Sequence, residues 1–170
     1  MSYGLAYGLS AFGLAAQLGI SRDEAKEQME AYFARFGGVR DYLNDVVDAA
    51  RRDEYTATVY GRRRYLPDLN SENWQRRQAA ERMALNAPIQ GSAADIIKVA
   101  MINVHRRLRE DSLRSRMLLQ VHDELVLEVA DGEREAAEAL VREEMGNAIS
   151  LSVPLDVSVG VGRSWDDAAH

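Results

Sequence analysis

The stretch Met117–Val129, MLLQVHDELVLEV, decides the fold of this chain. Two apolar runs rich in leucine and valine flank the polar triplet His122-Asp123-Glu124. Runs of about six residues with this composition are typical of strands with a buried face, and a short polar segment between them is typical of a tight turn. The sequence therefore predicts a hairpin that presents an imidazole and carboxylates at its tip.

Asp123 is the candidate metal ligand of this turn, because strands anchored in a core fix the direction of a side chain at their tip. Neighbouring strand residues point to opposite faces, so we expect Asp123 and Glu124 not to reach the same ion. Mg²⁺ usually takes one or two carboxylates together with waters and substrate phosphates. The hairpin thus predicts a second acidic ligand elsewhere. A turn in which Asp123 and His122 have no chemical role fits the local pattern equally well.

Composition excludes several classes of protein. The 170 residues contain no cysteine, which excludes a disulfide framework and a thiolate metal site. A hydrophobic fraction of 46% and only three prolines favour a folded, largely helical domain. No apolar run reaches membrane-spanning length, and the N-terminus lacks a basic flank with a cleavage site. We therefore expect a cytoplasmic protein with no membrane partner.

Basic residues are clustered although the formal net charge is −6. Such a chain can still bind phosphate groups locally through its basic patches. Alternation over Tyr55–Tyr60 predicts a strand, and Gly61 begins a turn that carries Arg62, Arg63 and Arg64 before Tyr65. Arginines at a hairpin bend are suited to contact backbone phosphates, although a solvated turn fits equally well.

Helical periodicity covers most of the remaining chain. A capping box of Ser21 and Glu24 begins a helix that we expect Gly37 and Gly38 to end. Further helices are predicted for Val39–Arg52, Trp74–Ala87 with Pro88 as its end, Gln90–Arg109 and Asp131–Ile149. A last strand is predicted for Leu155–Val161. This order predicts an α+β fold, in which an antiparallel sheet has helices packed on one face.

Three polar side chains, Arg82, Asn86 and Gln90, follow one another at intervals of four residues. They are donors of the type that contact phosphates and base edges in DNA. Pro88 lies between the second and the third, so we expect it to interrupt their helical register.

Tyr3 and Tyr7 are also four residues apart, with Gly4 and Gly8 beside them. An aromatic pair beside glycine is suited to stack on a base, although a pair packed into the core is the more frequent arrangement. This spacing of tyrosines and glycines begins almost at Met1, and no residue suited to cap a helix precedes it. We therefore expect the chain to be a fragment of a longer protein.

Three blocks resemble bacterial family A DNA polymerases. Ser2–Ala15 is similar to the second half of their motif B, and Leu119–Glu128 is similar to their motif C. Gly61–Pro67 and Ala80–Lys98 are similar to their palm segment. The resemblance is collinear over nearly the whole chain, and it implies that residues 1–52 are the C-terminal part of the fingers and residues 53–170 a portion of the palm.

The resemblance implies an enzyme that extends a primer 3′ hydroxyl with dNTPs, for replication and repair near the nucleoid. Asp123 would be one of two aspartates that hold two Mg²⁺ ions, with His122 and Glu124 beside the primer end. Tyr3 and Tyr7 would contact the incoming nucleotide. Arg82, Asn86 and Gln90 would contact the primer-template near the nascent pair, and we expect Arg62 and Arg63 to add phosphate contacts.

Two parts of the family's pattern have no match. The motif A aspartate is absent, and the lysine and arginine of motif B that grip the triphosphate would lie upstream of Met1. We therefore expect the rest of the polymerase chain as a partner and no activity from the isolated fragment. Two alternatives to a polymerase segment are a non-catalytic DNA-binding module and a metal-dependent phosphohydrolase. The second would place the pair His122-Asp123 on helices and would need histidines beyond His105 and His170.

Overall fold

The computed structural model describes residues 10–168, so the predictions for Tyr3 and Tyr7 lie outside the described residues. The helices are α1 (Ala11–Leu18), α2 (Arg22–Arg35), α3 (Gly37–Asp53), α4 (Trp74–Glu110), α5 (Arg134–Gly146) and α6 (Trp165–Ala168), with a 3₁₀ turn at Pro67–Asn70. The strands are β1 (Tyr55–Ala57), β2 (Arg63–Tyr65), β3 (Arg116–Val121) and β4 (Glu124–Glu128).

The predicted α+β class is confirmed. The strands of the described residues form two separate antiparallel hairpins, β1–β2 and β3–β4, rather than one continuous sheet. The chain divides into two compact units, Met1–Ser92 and Ala93–His170, which are described separately below. This division concerns compactness, and the assignment of residues 1–52 and 53–170 to polymerase subdomains stays a prediction. No helix in residues 10–168 is both long enough and apolar enough to cross a membrane.

Capping side chains define the first two helices, and the capping box at Ser21 is the one that the sequence predicts. Ser10 accepts a hydrogen bond from the Gly13 amide at the start of α1, and Gly19 ends that helix with a φ of 68°. The capping box is present at the start of α2, where the Ser21 and Glu24 side chains each bond the other residue's amide. Such a cap satisfies amides that the first turn of a helix otherwise leaves without partners.

The boundary between α2 and α3 differs from the expectation. Helix α2 ends at Arg35 and Phe36 alone separates the two helices, with φ of −118° and ψ of 54°. Gly37 and Gly38 do not end α2; they form the first turn of α3.

Pro88 does not end a helix, contrary to the prediction. Helix α4 is 37 residues long in total and continues through Pro88 without a break. The proline ring removes one amide-to-carbonyl bond, which is costly inside an isolated helix. Packing offsets that cost, because Ala80 and Ala84 are buried in a core formed with Ala50, Leu66 and Leu69. Tertiary contacts of this kind override local helix propensity.

The segment Leu155–Val161 alternates in burial but is not a strand. A strand requires a neighbouring strand for its backbone hydrogen bonds, and none pairs with this segment within residues 10–168. Its contacts are instead with α5, where the Arg142 guanidinium donates to the Val157 carbonyl over 2.5 Å. The alternation therefore reflects packing against a helix, and the predicted strand is wrong.

Glu133 joins the start of β3 to the start of α5 in the second unit. Its carboxylate accepts hydrogen bonds from the Arg114 amide at 3.0 Å, the Ser115 amide at 2.8 Å and the Ser115 hydroxyl at 2.7 Å. These bonds, the one from the Arg114 backbone first among them, lower the pKa of Glu133 to about 2. The carboxylate thus stabilises the folded state only while it is ionised.

Replacing Glu133 with glutamine should lower the urea midpoint of unfolding at neutral pH. The pKa near 2 lies below the ordinary value of 4.5. The stabilisation of the folded state by ionised Glu133 is therefore complete above pH 4.5, and it declines as pH falls toward 2. Urea titrations across this range should show the two proteins converging at the acidic end. Glu135→Gln on the same helix is the matched control, and an equal loss in both variants, or a pH-independent difference, would contradict the assignment.

Candidate functional site

The acidic turn is the two-residue connection His122-Asp123 between β3 and β4. Val121 pairs with Glu124, which closes the hairpin and confirms the predicted geometry. His122 adopts a φ of 52°, a conformation that non-glycine residues seldom take. The Gln120 side-chain amide donates to the His122 carbonyl and so braces the turn from the strand side.

The side chains of His122, Asp123 and Glu124 are exposed. None of them forms a hydrogen bond or ion pair with another described residue. The Asp123 carboxylate is therefore available for an external ligand, and its hard oxygen atoms are the donors that Mg²⁺ prefers. Residues 10–168 contain no group of three or more ligating side chains, so further ligands of such an ion must come from elsewhere.

A bulge in β3 precedes the turn. The partner of Met117 is Leu127 and the partner of Leu119 is Val126, so Leu118 is an extra residue on its strand. A bulge bends its strand and increases the local twist, and both Leu118 and Leu119 are 52% exposed as a result. The alternation of apolar residues in the sequence does not reveal this shift.

The polar row of the first unit is formed by Arg82, Asn86 and Gln90 on α4. Because α4 is continuous through Pro88, each side chain follows the previous one by one turn, with a drift of about 40° around the axis. The three therefore share one face, contrary to the interruption that we expected at Pro88.

The members of the polar row differ in their surroundings. Arg82 and Gln90 are exposed, and their side chains have no hydrogen-bond or ionic partner among the described residues. Asn86 is half-buried, and its Oδ1 is buried without a hydrogen-bond partner. An arginine in water with no internal carboxylate partner is suited to bind a phosphate.

The arginine turn, Thr58–Arg64, lies against this part of α4. A groove of about 160 Å³ separates the two and is lined by Thr56, Ala57, Thr58, Arg62, Arg63, Arg64, Ala87, Gln90 and Gly91. Arg62, Arg63 and Gln90, which sequence reasoning proposed separately, thus line one groove. The predicted strand Tyr55–Tyr60 is shorter than expected, because β1 ends at Ala57 and the turn occupies the remainder.

Arg63 is held in place by aromatic rings. Its guanidinium lies over the Tyr55 ring, 4.5 Å from the centroid. A hydrogen bond with the Tyr65 side chain raises the pKa of Arg63. A guanidinium in contact with an aromatic face has fewer accessible orientations, so this contact biases the direction in which Arg63 presents its charge.

Sequence reasoning missed three residues that dock the arginine turn on α4, namely Thr58, Gly91 and Ser92. The Ser92 hydroxyl accepts a hydrogen bond from the Val59 amide at 3.0 Å. A methyl group added at Gly91 would lie 2.6 Å from Thr58 Cγ2, so only glycine allows this approach. A glycine inside a helix costs about 1 kcal/mol relative to alanine. The presence of Gly91 in a helical sequence pattern is therefore the one feature of the sequence that indicates a close neighbour at this position.

The backbone of the acidic turn gives a direct prediction. His122→Val should lower the free energy of unfolding by about 1–2 kcal/mol relative to His122→Asn, because a β-branched residue disfavours a positive φ whereas asparagine tolerates it. Urea unfolding of both variants under one set of conditions measures the difference. Equal stabilities of the two variants would show that the positive φ of His122 is not a constraint on this hairpin.

Comparison with known proteins gives consistent matches. The model of the family described as DNA polymerase family A matches residues 1–167. DNA polymerase I of Mycobacterium tuberculosis is 73% identical over 170 residues, and that of Geobacillus stearothermophilus is 51% identical over 168 residues. These alignments cover 100% and 99% of this chain, and the chain spans 19% of the length of each relative.

A solved structure matches over the whole chain. It is described as the POL domain of Pol1 from M. smegmatis in complex with DNA primer-template and dNTP. Its sequence is 73% identical to this chain, and the two structures superpose with a TM-score of 0.98. The match covers 100% of this chain and 30% of the solved chain. The arrangement of helices and hairpins described above is thus similar to that of a segment of this POL domain.

Proposed function

Because the chain belongs to DNA polymerase family A, we propose that it is the segment of a bacterial DNA polymerase I that supplies one catalytic carboxylate and part of the DNA-binding surface. The parent enzyme would extend a primer 3′ hydroxyl with dNTPs on a template, in replication and repair. The acidic turn carries this proposal, since an exposed Asp123 without an internal partner stands at the tip of a hairpin anchored in a core.

Asp123 would hold Mg²⁺ together with a second aspartate from outside this chain. When bound, two such ions lower the barrier to attack by the 3′ hydroxyl and stabilise the leaving pyrophosphate oxygens. The contribution of this chain is to fix a hard oxygen ligand in position through the pairing of Val121 with Glu124 and through the brace from Gln120. His122 and Glu124 would lie beside the primer end, as the family resemblance implies.

The DNA-binding role rests on the polar row and the arginine turn. Arg82 would bind a backbone phosphate, since it is exposed and has no internal carboxylate partner. Gln90 would contact the primer-template from the groove that it shares with Arg62 and Arg63. Asn86 would contribute beside them, and its buried Oδ1 leaves the amide nitrogen as the group for an external contact.

The remaining assignments follow from membership of the family. Residues 1–52 would belong to the fingers and residues 53–170 to the palm, with Tyr3 and Tyr7 at the incoming nucleotide. The rest of the polymerase chain would be an obligatory partner, and the enzyme would act in the bacterial cytoplasm near the nucleoid. The isolated chain would not polymerise, because it has no motif A aspartate. A phosphohydrolase is not proposed, since His122 and Asp123 lie in a hairpin turn and not on helices.

Asp123→Ala in the full-length parent should reduce the rate of single nucleotide incorporation by about 1,000-fold or more. A lost metal ligand removes several kcal/mol of transition-state stabilisation, and each 1.36 kcal/mol is a factor of ten in rate. Rapid-quench primer extension with Mg²⁺, at saturating DNA and dNTP, measures this rate, and chelation of the metal should abolish the native activity.

Asp45→Ala is the matched control, because Asp45 is an exposed aspartate with no partner among the described residues. Its incorporation rate should equal that of the native enzyme. If Asp123→Ala incorporates nucleotides at the native rate, the catalytic proposal is wrong. If the native parent binds duplex DNA in a salt-dependent manner without any incorporation, the segment belongs to a non-catalytic DNA-binding protein instead.

A further inference from the structure

We propose that Ser92, together with Gly91, is a positioning residue that fixes the arginine turn Thr58–Arg64 in register with the polar row of α4. The inference rests on the proposed DNA-binding function and adds to it the residues that set the geometry of the charged groove. Ser92 does not line the groove, and its hydroxyl is bonded to the Val59 amide of the turn, so we expect its effect on DNA to be exerted through the turn.

The turn is a preformed unit with Thr58 at its centre. The Thr58 hydroxyl accepts from the Arg62 amide at 3.2 Å and from the Tyr60 amide at 3.3 Å. The Thr58 amide donates to the Arg62 carbonyl at 3.0 Å, and Gly61 supports the bend with a φ of 79°. These bonds fix the shape of the turn.

Two contacts hold the turn against α4. The Val59 amide donates to Ser92 Oγ at 3.0 Å, a bond between residues far apart in sequence. The Thr58 methyl group approaches Gly91 so closely that a Cβ there would lie at 2.6 Å. The two contacts join consecutive residues of the turn, Thr58 and Val59, to consecutive residues of the helix. They therefore restrict both the distance between the turn and the helix and the rotation of the turn.

Gln90 immediately precedes this docking point. The groove is lined by Arg62, Arg63 and Gln90, and we expect the contacts at Gly91 and Ser92 to set its width. Phosphates along one strand are regularly spaced, so a set of cations binds them well only if their mutual distances are fixed beforehand. Loss of the bond between the Val59 amide and Ser92 should therefore leave the arginines in the protein but no longer hold them at the distances that match the phosphates of one DNA strand.

Ser92→Ala in the full-length parent tests this directly. We expect the Kd for a primer-template duplex to rise about fivefold near 0.1 M salt, and the slope of log Kd against log salt to fall by about 1 because one phosphate contact is lost. Ser92→Thr keeps the hydroxyl and should bind DNA within about twofold of the native enzyme. Gly91→Ala should weaken binding in the same way as Ser92→Ala.

Ser71→Ala is the matched control. The Ser71 hydroxyl also accepts one backbone amide, that of Asn73 at 3.2 Å, but it does not line the groove. This variant should keep the native Kd and salt slope. In a background of Arg62→Ala and Arg63→Ala, Ser92→Ala should cause no further loss, because the groups that Ser92 positions are already gone.

Three results would overturn the inference. One is a native Kd and salt slope in Ser92→Ala while removal of Arg62 and Arg63 weakens binding, which leaves the proposed function intact. The others are an additive loss in the triple variant and a failure of Ser92→Thr to restore binding, either of which indicates general damage to the fold. Nucleotide incorporation with saturating DNA by the native parent, measured in parallel, reports separately on whether the parent is a polymerase.

Discussion

The continuity of helix α4 through Pro88 is the constraint on which the first unit depends. Before the proline, one side of the helix is buried through Ala80 and Ala84, and this burial fixes the helix that leads into Pro88. With the register preserved, Arg82, Asn86 and Gln90 share a face, and Gly91 and Ser92 meet the arginine turn. A helix broken at Pro88 would separate the polar row and would remove the docking point of the turn.

The two units place different kinds of chemistry at their surfaces. The first unit presents arginines and amides along a groove, and Arg63 is oriented by Tyr55 and Tyr65 before any ligand arrives. The second presents a carboxylate on a turn braced from its own strand. Cations held in fixed positions suit a polyanion, whereas an exposed carboxylate suits a divalent cation. A formal net charge of −6 therefore conceals a local surface of opposite sign.

Much of the candidate site could be predicted from sequence because its signals are local. The hairpin around Asp123 follows from two apolar runs with a polar turn, and the capping box at Ser21 follows from a spacing of three residues. What the sequence did not reveal depends on partners distant along the chain. The helix that leads into Pro88 packs against residues far upstream, since Ala80 and Ala84 share a buried core with Ala50. The Leu155–Val161 segment alternates, but its neighbour is the helix that carries Arg142.

The docking of the arginine turn illustrates the same limit. Gly91 in a helical pattern signals a close neighbour, but nothing local identifies that neighbour as Thr58. The bulge at Leu118 is likewise a property of the pairing between two strands rather than of either strand alone. The residues proposed to position others thus carry little local signal, whereas those expected to contact ligands directly are predicted from their chemical type and spacing.

Arg82 offers the most direct measurement of the central claim, that the α4 face binds DNA whereas the acidic turn serves the chemical step. Single-turnover nucleotide incorporation by the full-length parent, measured over a range of primer-template concentrations, separates the Kd for DNA from the rate at saturation. For Arg82→Ala the account predicts that the Kd rises about tenfold, the salt slope falls by about 1, and the saturated rate stays within about threefold of native. An unchanged Kd with a large fall in the saturated rate would contradict it.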